Sequence, residues 1–553
     1  MAAPDRERLS RNAPLVLLAV AMAAAAAVLL SYGSELTFFQ DSWEYLMRRR
    51  EFTAAALFDP HNEHIVVLPV VIELLSLRIF GMSSMMPEMV VLVALLLGVA
   101  ALLFVYVRRR LGPWPALFAA TVLLFLGPGW QDLLWPFQLG FAGAALFGIA
   151  TLLALENEEE RWDLAACGFL TISVAFSSLG LSFAVGAAVE LLRRGRRGAL
   201  GRAYVVAVPL LLYAGWYAGW GHTAENQLSL DNVLAAPDYV LEGVTASLDS
   251  LLALGTVFDE VVGRSQFGLP LLLVLMALLV HRQVRRPGFY PGLWPALATM
   301  ASFWFLAAAN ASVGREPYSS RYLYIGAVLL LLVVANLLRG VRFNRWGLAA
   351  AGAVTLVIVA FNLVPLREGR DFFEEQTVLT RSSLAAIEIA AARVEPGFRL
   401  PAEISGTPFL NEIEAGEYLR AVDEYGSPAY SPEELLTAPE EGRSHADLVL
   451  ANALPLGIET GLAPRPARGD CVKLDGRAGG SALPLDPGVT TINLPAGSNG
   501  AVRLRRFARG EYPLASEGVP TPSTARLYVP RDRSAQPWRL WVEAAPGATV
   551  CRG

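Results

Sequence analysis

Apolar runs of membrane length recur from Pro14 to Pro365 and then cease. A helix needs about 20 such residues to cross a ~30 Å hydrocarbon core. The runs predict spans at 14–33, 88–107, 113–128, 138–155, 163–177, 179–192, 203–220, 268–281, 291–309, 322–338 and 346–364. Beyond Pro365, charge, Pro and Gly become more frequent and no comparable run follows. The pattern predicts an α-helical polytopic membrane domain of about 11 spans, residues 1–365, and a second domain at 366–553.

In that second domain, 369–394 reads as an amphipathic helix stopped before Pro396, and another helix is expected near Glu412–Tyr425. Ser427–Pro439 is Pro-rich. From about residue 470, TTINL, AVRLRRF, ARLYVP and WRLWVEA alternate with Gly/Pro turns, as strands of a small β-sandwich do. The domain is thus mixed α/β turning β-rich. Trp538 and Trp541 suit a sugar-stacking platform, yet alternation along one strand puts them on opposite faces, so at least one is a core residue.

The stretch 163–192 reads two ways: one long tilted helix, or two short arms bent at Ser177, Ser178 and Gly180. With two arms and a cytoplasmic N-terminus, the inner segments carry 18 arginines and the outer loops 7. A single crossing would invert everything downstream and move 11 arginines outside. The positive-inside rule favours the hairpin. The expected protein is a multi-pass cell-membrane protein with its N-terminus cytoplasmic and its C-terminal domain extracytoplasmic. The first run, after Arg6, Arg8 and Arg11, is long and has further spans behind it, so it reads as an uncleaved helix and not a signal peptide. Of three cysteines, Cys167 lies in a span, while Cys471 and Cys551 are expected to pair, as an oxidising compartment permits. Two unrelated free thiols are the alternative.

Composition narrows the class. With 54% hydrophobic residues in 553, the chain is too apolar for a soluble enzyme. A net charge of −5 without a basic, aromatic-interleaved stripe predicts no nucleic-acid partner. Every cation but Lys473 is Arg, so Arg in place of Lys at one site carries little information.

The chemistry concentrates just after the first span. Residues 36–80 hold Asp41, Glu44, Asp59, His61, Glu63 and His64 at the mouth of the bundle, where ionisable groups usually serve a substrate or an ion. DSWEYLMRRREFTAAALF mixes polar and apolar positions at helical spacing, predicting one helix along the interface, and a second apolar helix follows HNEH. Asp41 before WEYLM also reads as a helix cap with Glu44 at the third helical position. His61, Glu63 and His64 fit metal ligation, substrate hydrogen bonding or a polar interfacial turn; their spacing matches no strong zinc signature. Asp132 and Gln138 in WQDLLWPFQ, and Arg315, Tyr318, Arg321 and Tyr322 in NASVGREPYSSRY, fall on the same expected face. There the two arginines suit a phosphate, or alternatively snorkel at a span end.

FFQDSWEY, the DPHNEH junction and YSSRYLY give the chain its resemblance to the GT-C glycosyltransferases. That group includes protein O-mannosyltransferases, the aminoarabinose transferase acting on lipid A and the mycobacterial arabinofuranosyltransferases. The likeness covers the topology to about residue 365. It implies a bacterial cell-envelope enzyme that moves a sugar from a polyprenyl-phosphate donor to a glycan, lipid or protein acceptor among membrane lipids. The resemblance implies Asp41 as general base, with Asp59 second, and an extracytoplasmic domain that binds or shapes the acceptor. Glu44, His61, Glu63, His64, Asp132, Gln138, Arg315, Tyr318, Arg321 and Tyr322 are the candidate substrate contacts. No acidic pair stands beside Asp41, so no metal ligand is assigned and a divalent metal stays open. The alternative is a transporter or flippase of lipid-linked saccharides, which would carry midplane charges and internal pseudo-symmetry.

Overall fold

The computed structural model describes residues 3–157, 159–193, 200–225, 227–257, 267–285, 292–454, 456–463, 470–474, 481–496, 500–510, 512–543 and 547–552. The arginine-bearing segments 194–199 and 286–291, which enter the orientation count, lie outside these residues. The chain forms two compact units. One comprises Met1–Glu35, Arg49–Ser76 and Met85–Phe372; the other comprises Leu36–Arg48, Leu77–Ser84 and Phe373–Gly553. This differs from a single cut at residue 365: two short segments from the first hundred residues group with the C-terminal part.

Helices dominate the first three quarters of the chain. In order they are α1 (Ala3–Gly33), α2 (Ser42–Arg48), α3 (Ala54–Phe58), α4 (Val67–Phe80), α5 (Met86–Leu111), α6 (Pro113–Leu124), α7 (Trp130–Leu134), α8 (Leu139–Leu155) and α9 (Glu160–Phe176). Then come α10 (Leu179–Arg193), α11 (Tyr204–Gly219), α12 (Leu230–Leu251), α13 (Leu254–Val257), α14 (Gly268–Arg285), α15 (Leu293–Ala309), α16 (Ser320–Leu337) and α17 (Arg345–Ala390). Among the described residues six helices are long and apolar enough to cross a membrane, or seven if the bent pair Pro113–Leu124 and Gly127–Leu134 is one span. Tyr204–Gly219 and Leu293–Ala309 are shorter apolar helices.

Local chemistry sets the helix ends. Pro lies in the first turn of α5, Arg108, Arg109 and Arg110 close its last turn, where cations complement the helix dipole, and Gly112 at φ 91° stops it. The stretch 163–192 is two helices. The ring of Phe176 at the end of α9 fills the space beside Gly143 of α8, and Phe183 of α10 fills that beside Gly148, so α10 returns alongside α8. The small polar residues at the bend satisfy freed backbone groups, Ser177 Oγ accepting from Leu179 N at 3.3 Å.

The segment 42–58 is not one interfacial helix. It breaks between α2 and α3, where the buried Arg49 guanidinium donates to the carbonyls of Ala56 (3.2 Å), Asp59 (2.9 Å) and Pro60 (2.9 Å). Those three acceptors require the chain to fold back, which a continuous helix forbids. Thr53 caps α3 by accepting from Ala56 N at 3.1 Å.

In the second unit, Trp43 of α2 is buried, donates to Phe38 O at 3.1 Å and meets Tyr418 edge-on at 6.4 Å. Phe39 packs on Phe373 at 5.3 Å, and Met82 N donates to Tyr425 O at 2.9 Å. The expected helix at 369–394 is the end of the 46-residue α17. It is followed by α18 (Ala402–Ser405), α19 (Ala415–Tyr425), α20 (Pro432–Thr437) and α21 (Glu440–Ala453).

Among the described residues nine strands follow: β1 (Gly457–Leu462), β2 (Asp470–Lys473), β3 (Ser481–Leu485), β4 (Gly488–Leu494), β5 (Gly500–Arg505), β6 (Leu514–Val519), β7 (Ser523–Val529), β8 (Trp538–Glu543) and β9 (Thr549–Arg552). They make two antiparallel sheets, ordered β1-β7-β4-β9-β2 and β3-β8-β5-β6. Cys471 and Cys551 face each other across β2 and β9 and are disulfide-bonded. Trp538 is buried, while Trp541 lies on the other face of β8 between Arg503 and Tyr512. A buried bidentate pair, Arg506 with Asp532 at 2.6 and 3.0 Å, holds two loops of this unit together.

Candidate functional site

The site in the first unit is built around the H-N-E-H turn. His61 and His64 exchange backbone hydrogen bonds of 3.1 and 2.9 Å, closing a tight loop in which Asn62 takes φ 50°, a conformation Asn tolerates better than most residues. His61 is buried edge-on against Phe137 at 5.0 Å, and His64 meets Phe141 edge-on at 5.8 Å. Ser178, at the α9–α10 bend, donates from Oγ to Glu63 O at 3.4 Å. The helical hairpin thus holds the turn.

Opposite the turn stands the loop between α15 and α16. Arg315 donates from Nη1 to Glu63 Oε1 at 2.7 Å, and each of these side chains keeps only 18% of its surface exposed. His64 Nε2 lies 3.5 Å from the same carboxylate oxygen. Tyr239 of α12 donates to Arg315 O at 2.8 Å, and Glu316 accepts from Gly314 N at 3.0 Å and from Ser319 Oγ at 3.3 Å. Arg321 donates to Gly314 O and lies over the Tyr322 ring at 5.5 Å. Among the described residues its Nε has no hydrogen-bond partner.

Glu63, His64, Ser178 and Tyr322 border a cavity of about 290 Å³. Glu63, His64, Ser178, Tyr213, Asn310 and Tyr322 form its polar side, and Phe141, Leu179, Leu181, Leu228, Phe303 and Leu306 its apolar side. Burial opposes the charge on Glu63, but His64 and the Arg315 guanidinium outweigh it and hold the carboxyl below its ordinary range. Burial disfavours the imidazolium of His64 more than Glu63 favours it, so His64 titrates below its usual value and is neutral at pH 7. Arg315 is therefore the standing counter-ion of Glu63. The wall combines an ionised carboxylate, paired with the Arg315 guanidinium, a neutral imidazole and phenols beside an apolar surface.

Of the expected site residues, Glu63, His64, Arg315 and Tyr322 come together here, with Arg321 beside them. Asp132 on α7 is buried at 1% exposure, and no described residue hydrogen-bonds its carboxylate oxygens. Its helix is seated on α16 through Gln131 N donating to Ser320 Oγ at 3.0 Å, and by Gly129, where a Cβ would come within 2.9 Å of Tyr324 Cβ. Gln138 is buried at the start of α8, and Tyr318 is half-buried in the loop before α16. Asp59 is exposed and ends α3, its carbonyl taken by Arg49. Asp41 and Glu44 belong to the other unit, half-buried at the start of α2. Asp41 O accepts there from Glu44 N at 3.1 Å. Among the described residues no three His, Cys, Asp or Glu side chains group as metal ligands.

Sequence reasoning missed Tyr239, Ser178, Tyr213 and Phe303. Tyr239 was findable: Ser229 caps α12 by accepting from Asn232 N at 3.1 Å, and S-L-D-N ahead of an apolar periodicity is a helix-start signal.

No protein-family model and no curated protein matches the chain. Among solved structures it is similar to ArnT from Cupriavidus metallidurans bound to undecaprenyl phosphate, at 14% identity over 76% of this chain and 89% of that one, with a TM-score of 0.45. It is likewise similar to ArnT from the same organism in the apo state, at 13% identity over 74% of this chain and 89% of that one, with a TM-score of 0.44.

Proposed function

We propose that the chain is a membrane glycosyltransferase that takes a sugar from a polyprenyl-phosphate donor and passes it to a hydroxyl of an extracytoplasmic glycan, lipid or protein. The observation that carries this reading is a cavity with one apolar side and one polar side that includes Glu63, which Arg315 pairs. A donor with an anionic phosphate, a polar sugar and a hydrocarbon tail calls for a nearby cation, a polar surface and an apolar one. In the reaction, the acceptor oxygen attacks the anomeric carbon while its proton passes to a carboxylate base, the role expected of Asp41. The bond from that carbon to the phosphate oxygen breaks, and the electron pair leaves with the phosphate. Arg315 and Arg321 neutralise the charge that develops there, and Glu63 is the positioning residue for Arg315. His64 and Tyr322 hydrogen-bond the sugar or phosphate. Sidedness follows the arginine count: the site and the C-terminal domain face the exterior.

The test is transfer by the purified full-length chain from polyprenyl-phosphate mannose, arabinofuranose and aminoarabinose to envelope fractions. A positioned carboxylate contributes roughly 10²–10⁴-fold by proton abstraction, so Asp41→Asn should stay folded and lose transfer by that order. Full activity in Asp41→Asn would remove Asp41 from the mechanism. Failure of the wild type with every donor would overturn the class.

A further inference from the structure

A second polar cavity, of about 230 Å³, lies at the other end of the first unit's helices. Arg110, Glu156 and Arg193, near the C-terminal ends of α5, α8 and α10, border it, as do Arg109, Glu190, Gly292 and Arg339. It is separate from the candidate active site. Along α16, Asn336, which bonds Arg110, stands about 22 Å from Arg321 at 1.5 Å per residue.

Arginines at helix ends ordinarily reach into headgroups and water. Here Arg110 does not: its side chain is 4% exposed and stacks on the Tyr106 ring at 3.4 Å. It donates to Asn336 Oδ1 at 2.7 Å and Tyr106 O at 2.8 Å, and it pairs with Glu156. Asn336 is itself fixed by donating to the Tyr106 hydroxyl at 2.7 Å. Glu156 is shared, since Arg109 donates to its other oxygen at 2.8 Å. Arg193 is matched by Glu190 at 2.6 Å. Arg339 has no ion-pair partner among the described residues. Among the described residues four guanidiniums thus meet two carboxylates, an excess of two positive charges on the cavity wall. The first turn of α15 opens there too, with no side chain capping it. Gly292, at φ 81°, lets the backbone pass so close that a Cβ would come within 2.8 Å of Arg110 Nη2.

We propose that this cavity is a binding site for a phosphate-bearing dianion. Its charge matches the two-charge excess of the wall, and guanidiniums pair with phosphate oxygens two at a time. The source is a free phosphate compound or a phospholipid headgroup, and the test separates them. The full-length protein is placed in phosphatidylcholine nanodiscs at constant ionic strength, and its melting midpoint is followed. One arm adds inorganic phosphate, largely the dianion above about pH 7. The other replaces part of the lipid with phosphatidic acid. The comparison variant is Arg109→Gln/Arg339→Gln, which keeps Arg110–Glu156 and Arg193–Glu190 and brings the wall to neutrality. Arg339→Gln alone is the milder control.

Inorganic phosphate should raise the wild-type midpoint saturably if the source is free, and phosphatidic acid should do so if it is a headgroup. The apparent affinity should fall about tenfold or more in the double variant and by less in Arg339→Gln, because charge-assisted bonds are the strong ones. Absence of any rise in both arms overturns the proposal, as does an equal rise in wild type and double variant. Neither outcome bears on sugar transfer at the other end of the helices.

Discussion

The Glu63–Arg315 pair gives the most quantitative test of how the candidate site is held. The two side chains meet at 2.7 Å with 18% of each exposed. Exposed ion pairs are worth about 0–1 kcal/mol, whereas a hydrogen bond to a charged partner shielded from water is worth about 1.5–3 kcal/mol. At this burial the pair belongs near the higher range. The experiment is a double-mutant cycle of Glu63→Gln, Arg315→Gln and both together, with unfolding followed in detergent micelles. Each single change should cost about 2–3 kcal/mol, since it leaves a half-buried charge without its counter-charge. The double variant should cost less than the sum by about 1.5–3 kcal/mol. The pH dependence has a definite sign. Glu63 is held below its ordinary value of 4.5 in the folded state, so its contribution is fully present above that value and is lost as pH falls through the lower folded value. The coupling at pH 7 should therefore fade under acid. Additivity within about 0.5 kcal/mol at pH 7 would refute the pairing, whatever the chain binds.

Other consequences concern both units. Replacing Arg321 by Gln should lower transfer by roughly 10²–10³-fold through loss of a donor to the leaving phosphate; an unchanged turnover with the three donors would place Arg321 outside the reaction. Reducing the Cys471–Cys551 bond, which closes a loop of 80 residues, should destabilise the second unit by roughly 4 kcal/mol on the chain-entropy model, read as a lower unfolding midpoint under reductant. His445, buried with Nε2 2.9 Å from Ser383 Oγ, is pushed by burial to about 4. Its folded pKa lies below its unfolded one, so its contribution is present above the ordinary value of 6.5 and is lost as pH falls towards 4, by up to about 3 kcal/mol. His445→Asn should flatten that part of the stability profile, and an unaltered profile would show that another group titrates there.

The helices of the membrane domain were legible because apolar length is a strong signal, and even the bend at Ser177–Ser178 could be placed by counting arginines. The strands containing TTINL, AVRLRRF, ARLYVP and WRLWVEA were legible by alternation, whereas β1, β2, β3, β6 and β9 are short or weakly patterned. The break between α2 and α3 was not legible, because periodicity ignores what Arg49 gains by donating to three carbonyls. Nor was the grouping of Leu36–Arg48 with the C-terminal unit, since the partners of Trp43 and Phe39 lie more than three hundred residues away. Within the candidate site, residue types pointed to Glu63, His64, Arg315 and Tyr322. The pairing of Glu63 with Arg315 needed coordinates, because the two are 252 residues apart.

The most direct measurement for the central claim is binding of a polyprenyl phosphate to the purified full-length chain. The account predicts saturable binding that weakens at least about tenfold in Arg321→Gln and in the charge-balanced Glu63→Gln/Arg315→Gln, each checked for folding by its melting midpoint. Equal affinity in the wild type and both variants would contradict it.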